Sequence, residues 1–170
     1  MTISIHPLDR SRIPARAAQP LGAQLWRVGF KTARPMKSFP QVLLIKAERQ
    51  ADPAYRREGR FRSTERHCLF KLTLAGEGCF QCGRKRYALP AGHGFLCEVR
   101  DPAISYYFPT RARSPWDFVF LSFTGPAAVA MTRDFIRQYG PVYQLPTDLG
   151  FVQDLTAWRQ YDGKEILLSP

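Results

Sequence analysis

Residues 70–97 read FKLTLAGEGCFQCGRKRYALPAGHGFLC, and strand and turn patterns alternate sharply along this stretch. Apolar and polar side chains alternate over Phe70–Ala75, which is the two-residue period of a half-buried strand. The GEG sequence that follows indicates a bulge, and the turn residues at 82–85 and 90–94 each reverse the chain. The stretch therefore predicts short antiparallel strands joined by tight turns.

Further elements are predicted on both sides of this stretch. Aliphatic, β-branched and aromatic residues predict strands over 41–47 and 104–108, and the clearest strand covers 116–123. After residue 125 the apolar residues recur at helical spacing, so a helix over 128–139 and a second over 151–158 are expected. These patterns predict a mainly β domain, an antiparallel sandwich or small barrel, followed by one or two helices.

The charge of the chain is strongly positive and unevenly distributed. Its 25 basic and 14 acidic residues give a net charge of +11. Residues 1–70 carry 14 Lys and Arg against 5 Asp and Glu, whereas residues 71–170 carry 11 against 9. An arginine-rich segment of this kind attracts nucleic acid or another anion, but it is also typical of a solvated arm. We favour the solvated arm, because no DNA-reading motif accompanies the charge.

The cysteines resemble half of a zinc site. Cys79 and Cys82 have the spacing of a zinc knuckle, but Cys68 and Cys97 stand singly and do not supply the second pair. We therefore interpret all four as ordinary strand or turn cysteines.

Three blocks of the sequence are similar to one known family. They are Lys71–Gly78, Tyr87–Leu96 and Trp116–Gly125. Taken in order, they resemble the amino-terminal sensor domain of AraC-type transcription regulators, over roughly residues 41–145. The resemblance implies a cupin-like double-stranded β-barrel (a jelly roll) that binds a small effector, helices that pair two subunits, and a carboxy-terminal DNA-binding domain.

The resemblance also implies a domain organisation. We expect an amino-terminal arm at 1–40, the effector-binding barrel at 41–125 and a helical dimerisation region at 126–170. Because no helix-turn-helix pattern occurs before Pro170, we expect the DNA-binding domain to be missing and the dimerisation region to be cut short. The expected partners are an unidentified small-molecule effector, a second copy in a homodimer, and DNA only through the missing domain. No membrane partner is expected and the predicted location is the cytoplasm, because the sequence shows neither a membrane span nor a secretion signal.

Five residues are predicted to contact the ligand. The resemblance implies Phe118, Phe120 and Tyr107, on the last strand and the strand before it. At two late positions where the family has an imidazole and an indole, this chain has phenyl rings, so we expect a ligand less polar than a simple sugar. An arginine from the segment before residue 68, either Arg60 or Arg62, is a candidate for bidentate binding of hydroxyls or a carboxylate. The alternatives are that the two phenyl rings are barrel core and the two arginines are surface residues.

The cupin barrel also hosts metal enzymes, which use a cluster of histidines and a glutamate. This chain has three histidines, His6, His67 and His93, and their spacing does not match that cluster. We therefore predict no metal, no cofactor, no catalytic residue and no enzymatic activity. The alternative is a stand-alone cupin-like protein, either a small-molecule binder or a metal-dependent enzyme, which a metal assay would separate from a sensor.

Overall fold

The computed structural model describes residues 2–7, 22–146 and 148–169. Twelve strands and two α-helices lie in these ranges. The strands are β1 Thr2–Pro7, β2 Ala23–Thr32, β3 Gln41–Gln50, β4 Arg56–Glu58, β5 Cys68–Ala75, β6 Glu77–Cys82, β7 Lys85–Pro90, β8 His93–Glu98, β9 Ile104–Tyr107, β10 Trp116–Thr124, β11 Val142–Gln144 and β12 Lys164–Ser169. The helices are α1 Pro126–Tyr139 and α2 Gly150–Ala157, and short 3-10 turns occupy Gly59–Phe61 and Trp158–Tyr161.

Eight of the strands pair in a nested order. β3 pairs with β10, β4 with β9, β5 with β8 and β6 with β7, and every pair is antiparallel. A long hairpin folded over on itself produces this nesting, and it yields two facing sheets, β3-β10-β5-β8 and β4-β9-β6-β7. That arrangement is a jelly roll. The predicted fold class, a mainly β jelly roll with helices after it, is confirmed.

The larger sheet is wider than the sequence predicts. β2, β12 and β1 extend it beyond β3, and β11 is added at the β8 edge, which gives eight strands. Thus part of the predicted arm, Ala23–Thr32, is a strand, while residues 8–21 lie outside the described residues. The predicted helical region likewise contains β11 and β12, and β12 runs parallel to β2. Burial explains why Lys164–Ser169 forms a strand, because pairing with β2 leaves its Ile166 side chain completely buried.

Two hydrophobic clusters lie on the two faces of the larger sheet. The interior cluster lies between the two sheets of the jelly roll and consists of Tyr55, Leu69, Phe80, Leu89, Phe95, Cys97, Val99, Ile104, Tyr106, Phe108, Trp116 and Phe118. The outer cluster packs the opposite face against α2 and consists of Trp26, Val28, Phe30, Ile45, Ala47, Leu72, Val119, Val152, Leu155 and Ile166. β5 is therefore buried on both faces, not on one as its alternation predicts.

The first helix, α1, buries small side chains and exposes three of its larger apolar ones. It begins at Pro126 and ends before Gly140, whose φ of 83° is in the left-handed region that favours glycine. Ala128 and Thr132 are buried, whereas three larger apolar side chains are exposed, namely Met131, Phe135 and Tyr139. The helix thus rests on the barrel through small residues. Among the described residues, no helix is long and apolar enough to cross a membrane.

Candidate functional site

Polar and aromatic side chains form cross-strand rows inside the jelly roll. On the central strands, Phe120 lies opposite Lys46 of β3 and Lys71 of β5. One step along, Phe118 is opposite Glu48 and Thr73. Because side chains on paired positions share a face, two lysines and a glutamate line an otherwise aromatic interior.

Lys71 is at the centre of this arrangement. It is only 2% exposed, and its Nζ donates a hydrogen bond to the Tyr55 hydroxyl oxygen over 3.2 Å. Five aromatic rings surround Nζ, with distances to the ring centroids of 3.4 Å for Phe118, 4.4 Å for Tyr106, 5.1 Å for Trp116, 5.3 Å for Phe120 and 5.6 Å for Tyr55. The amine is therefore enclosed by ring faces.

The electrostatics of the interior are shaped by burial. Burial lowers the pKa of Lys71 well below its ordinary 10.5, and Arg57 and Arg62 lower it further against the opposing effect of Glu48. Burial raises the pKa of Glu48, but Lys71 and Lys46 outweigh it, so the net pKa lies below the ordinary 4.5. Glu48 also bonds directly to Lys46, at 2.5 Å. The interior thus combines an ionised carboxylate with an amine that burial drives toward the neutral form.

Of the two candidate arginines, Arg62 reaches the interior, and its contact with a ligand stays a prediction. Its Nη1 donates to the Tyr106 hydroxyl over 2.7 Å, and its other nitrogens hold Glu65. Arg60 does not reach the interior, because it is exposed and its Nε binds Glu58 at 2.5 Å. The difference arises because the 3-10 turn at Gly59–Phe61 directs the chain outward before Arg62 returns to the barrel.

The three aromatic residues predicted to contact the ligand do not all lie in the interior of the jelly roll. Phe118 is completely buried in the interior, and the half-buried Phe120 packs against the same cluster. Tyr107, by contrast, alternates with the interior Tyr106 and lies on the outer face of the smaller sheet, where the Arg56 guanidinium covers its ring at 4.6 Å. The prediction that Tyr107 lines the barrel is corrected accordingly. Whether the phenyl rings contact a ligand stays a prediction.

Sequence reasoning missed most of the polar groups of the interior. The set comprises Lys46, Glu48, Gln50, Tyr55, Lys71 and Tyr106. The segment Lys46-Ala47-Glu48-Arg49-Gln50 places three polar residues on one face of the strand. Ala47, on the opposite face, is completely buried, so the polar face is the one that lines the interior. The polar face of an amphipathic strand is normally assigned to solvent, whereas the polar face of β3 lines the interior of the jelly roll.

A cleft opens where one end of the jelly roll meets α1. Its volume is 520 Å³. Its apolar lining includes Phe80, Cys97 and Ile104 from the interior cluster together with Leu96, Ile136 and Pro141. Its charged lining consists of Arg100, Arg133, Arg137, Glu98 and Asp101. The cleft therefore has an apolar body and a rim that is positive by one charge.

Two of the three arginines of the cleft are oriented by one carboxylate, that of Glu98. Glu98 accepts from Arg100 Nε at 2.8 Å and from Arg133 Nη2 at 2.7 Å, while Arg137 binds Asp134 at 2.8 Å. These bonds use only some of the five N–H donors of each guanidinium. Both arginines held by Glu98 thus keep donors for a further acceptor.

The cysteines do not gather into a metal site. Cys79 and Cys82 are three residues apart on one strand and so face opposite sides of it. Cys82 lines the cleft, whereas Cys79 pairs with Tyr107 on the outer sheet face. Across the described residues, no three side chains of His, Cys, Asp or Glu are grouped as metal ligands would be.

Comparisons with known proteins give a likeness of fold. No family model matches the chain, and no curated protein matches it in sequence. One similar solved structure is iron(II) HppE, with 16% identity over 49% of this chain and 41% of HppE and a TM-score of 0.33. Another is a candidate mannose-6-phosphate isomerase from Ralstonia eutropha, with 14% identity over 56% of this chain and 92% of that protein and a TM-score of 0.32.

These similarities correct one prediction. The prediction of no enzymatic activity is corrected, because one of the solved structures that this chain resembles in fold is described as an isomerase, so the fold does not exclude catalysis. Likeness at this level concerns the fold alone, and one fold hosts many functions. The correction removes the exclusion of catalysis and assigns no reaction.

Proposed function

We propose that this chain is a small-molecule-binding domain whose ligand occupies the cleft between the jelly roll and α1. The observation that carries the proposal is a 520 Å³ space bounded by both the barrel and the helix. Binding sites for small molecules typically have about 300–1,000 Å³, an apolar lining and a few placed polar groups. The cleft has all three properties.

The lining indicates the chemical class of the ligand. Ile104, Ile136 and Pro141 offer apolar surface, and Arg133 and Arg100 are fixed by Glu98 with donors remaining. A small carboxylate with an aromatic or branched aliphatic body satisfies both parts, since a guanidinium binds a carboxylate through paired hydrogen bonds. This class agrees with the expectation of a ligand less polar than a simple sugar.

We further propose that this binding serves as the sensor step of an AraC-type regulator. α1 forms one wall of the cleft and exposes Met131, Phe135 and Tyr139 on its other side. A ligand that favours one position of α1 would therefore shift the population of states that pair with a second copy. DNA would be bound by a separate helix-turn-helix domain. The sequence resemblance supports this role.

Ligand titration tests the binding step. A panel of aromatic and branched aliphatic carboxylates should raise the thermal unfolding temperature, and calorimetry should give one site per chain. Ile136→Trp, which fills the cleft, should abolish the shift, while the matched change Gln138→Trp on the exposed side of α1 should preserve it. Equal binding by both variants would contradict the location.

The role as a sensor can fail separately from binding. A stand-alone binder would bind the same carboxylates, but its self-association would not respond to them. A metal-dependent cupin enzyme would instead carry stoichiometric iron, manganese or zinc after purification, which elemental analysis detects. Ligand-dependent change in sedimentation is the result expected of a sensor.

A further inference from the structure

Lys71 holds a primary amine inside the jelly roll, apart from the cleft. We propose that Lys71 is a carbonyl-reactive residue whose Nζ condenses with a small aldehyde or ketone to form an imine in the aromatic interior. This inference goes beyond the proposed function and does not depend on the cleft.

The geometry of the interior suits a nucleophilic amine. Nζ lies 3.4 Å from the centroid of Phe118 and 4.4 Å from that of Tyr106, so it is stripped of water by ring faces. Lysines desolvated in apolar pockets or placed near other cations are the ones that serve as nucleophiles toward carbonyl groups. The same rings would pack against the carbon skeleton of a bound carbonyl compound.

Groups from each surrounding strand or loop act on this amine. Arg57 of β4 and Arg62 of the following loop disfavour its protonation, whereas Glu48 of β3 favours it. Glu48 is itself engaged, because it binds Lys46 at 2.5 Å and accepts a bond from Gln50 at 3.3 Å. Burial, which also raises the pKa of the phenols Tyr55 and Tyr106 and of the thiol Cys97, leaves these three neighbours protonated at neutral pH. The amine is therefore the free nucleophile of the group.

Tyr55 is the residue in position to handle protons. Its oxygen is 3.2 Å from Nζ. The Nζ lone pair attacks the carbonyl carbon and the C=O electron pair moves to oxygen, which takes a proton from the Tyr55 hydroxyl, and the nitrogen returns a proton to Tyr55. The hydroxyl of the resulting carbinolamine then takes a proton from Tyr55 and leaves as water while the nitrogen lone pair forms the C=N bond, and the remaining N–H proton returns to the Tyr55 oxygen. The step consumes no oxidant or reductant.

We assign the path by which a carbonyl compound reaches Lys71 to the end of the interior where Lys46 and Phe120 are located. These two residues are cross-strand partners, and both keep partial contact with solvent, the Lys46 side chain being 16% exposed. The Phe120 ring centroid is 5.3 Å from Nζ, so this half-buried ring covers the amine on that side. Displacement of one ring would open a path to Lys71.

Reductive trapping tests the proposal on the native protein. The protein is treated with acetaldehyde and sodium cyanoborohydride at pH 6.5, where hydride transfer converts each imine to a stable ethylamine, and the six lysines are compared by peptide mass mapping. Lys71 should be labelled at least about tenfold faster than the median of the other five, because each unit of lowered pKa gives tenfold more neutral amine. Labelling of Lys71 no faster than that median overturns the proposal.

Two matched variants test the access path. Phe120→Ala should accelerate the labelling of Lys71, whereas Leu121→Ala, which removes a side chain on the opposite face of the same strand, should not. A Phe120→Ala rate equal to the Leu121→Ala rate overturns the assigned path. Lys71→Met should lose the fast-labelled site without changing the rates at the other lysines, and near-ultraviolet circular dichroism confirms that each variant is folded.

Discussion

Trp116 donates its indole N–H to Thr73 Oγ1 over 2.9 Å, and Thr73 donates in turn to the Leu89 carbonyl over 3.0 Å. This relay satisfies the polar atom of the largest buried side chain and links the two sheets. Thr73→Val keeps the shape but leaves the buried indole N–H without its partner. We expect a loss of about 1–3 kcal/mol in the free energy of unfolding, measured in urea.

The control for this substitution is Thr124→Val, which removes a solvent-exposed hydroxyl bond to Arg66. Water replaces that partner, so the change should stay within about 0.5 kcal/mol. Equal effects at the two threonines would show that the relay does not stabilise the fold.

A second prediction concerns Lys71 and pH. The pKa of Lys71 lies well below 10.5 in the folded protein and near 10.5 in the unfolded chain. Between these two pKa values the unfolded state binds more protons, so the stability of the folded state rises with pH. Lys71→Met should therefore stabilise the protein at neutral pH, by about 1–4 kcal/mol. The advantage should shrink as pH increases toward 10. A gap that is constant or widens between pH 7 and 10 in denaturant unfolding would contradict the direction of the shift.

A third prediction concerns the approach of β6 to Trp116. A Cβ added at Gly78 would lie 2.1 Å from the indole Cε2. Because the hydrogen bond to Thr73 holds this ring, Gly78→Ala should destabilise the protein by about 1–3 kcal/mol. At Gly150, the first residue of α2, no heavy atom lies within 4 Å of the added Cβ, so Gly150→Ala should change the unfolding temperature little. A mild effect at Gly78 would mean that the ring can move.

A fourth prediction concerns the exposed apolar side of α1. The Phe135 and Tyr139 rings pack at a tilt with their centroids 5.6 Å apart, and Met131 is exposed on the same helix. If this surface pairs two copies, sedimentation should show a dimer that Phe135→Glu dissociates. Gln138→Glu adds the same charge on an exposed neighbour and should leave the dimer intact. Dimers that survive Phe135→Glu would place the interface elsewhere.

Local patterns predicted an antiparallel sandwich or small barrel, because the strands are joined by short turns, and the family resemblance implied the jelly roll. The alternation around Phe70 and Phe118 and the turn residues between strands are readable within a few residues of sequence. β12 was missed for the opposite reason. Its Ile166 is buried only when β2, more than a hundred residues away, lies beside it, and no local pattern carries that pairing.

The two phenyl rings and one arginine of the interior were predicted from the sequence, and the other polar groups were not. Phe118 and Phe120 follow from alternation, whereas Lys71 and Thr73 occupy the polar half of an alternating strand and were assigned to solvent. The larger sheet has covered surfaces on both sides, so its polar face became the interior. Sequence patterns report polarity, and they do not report which side of a sheet the rest of the chain will cover.

The insertion of β12 between β1 and β2 has a consequence for the order of folding. During synthesis, β1 emerges before the other strands, but it pairs with Lys164–Ser169. It therefore stays unpaired until those residues have been synthesised. Until then the β2 edge that β12 later covers stays unpaired, and an open edge invites pairing with another chain. The jelly roll can close earlier, since its nested pairs are complete at Thr124. We therefore expect the jelly roll of the nascent chain to form well before the larger sheet is complete. During that part of translation, the folded jelly roll carries an unpaired β2 edge that is prone to pair with another chain.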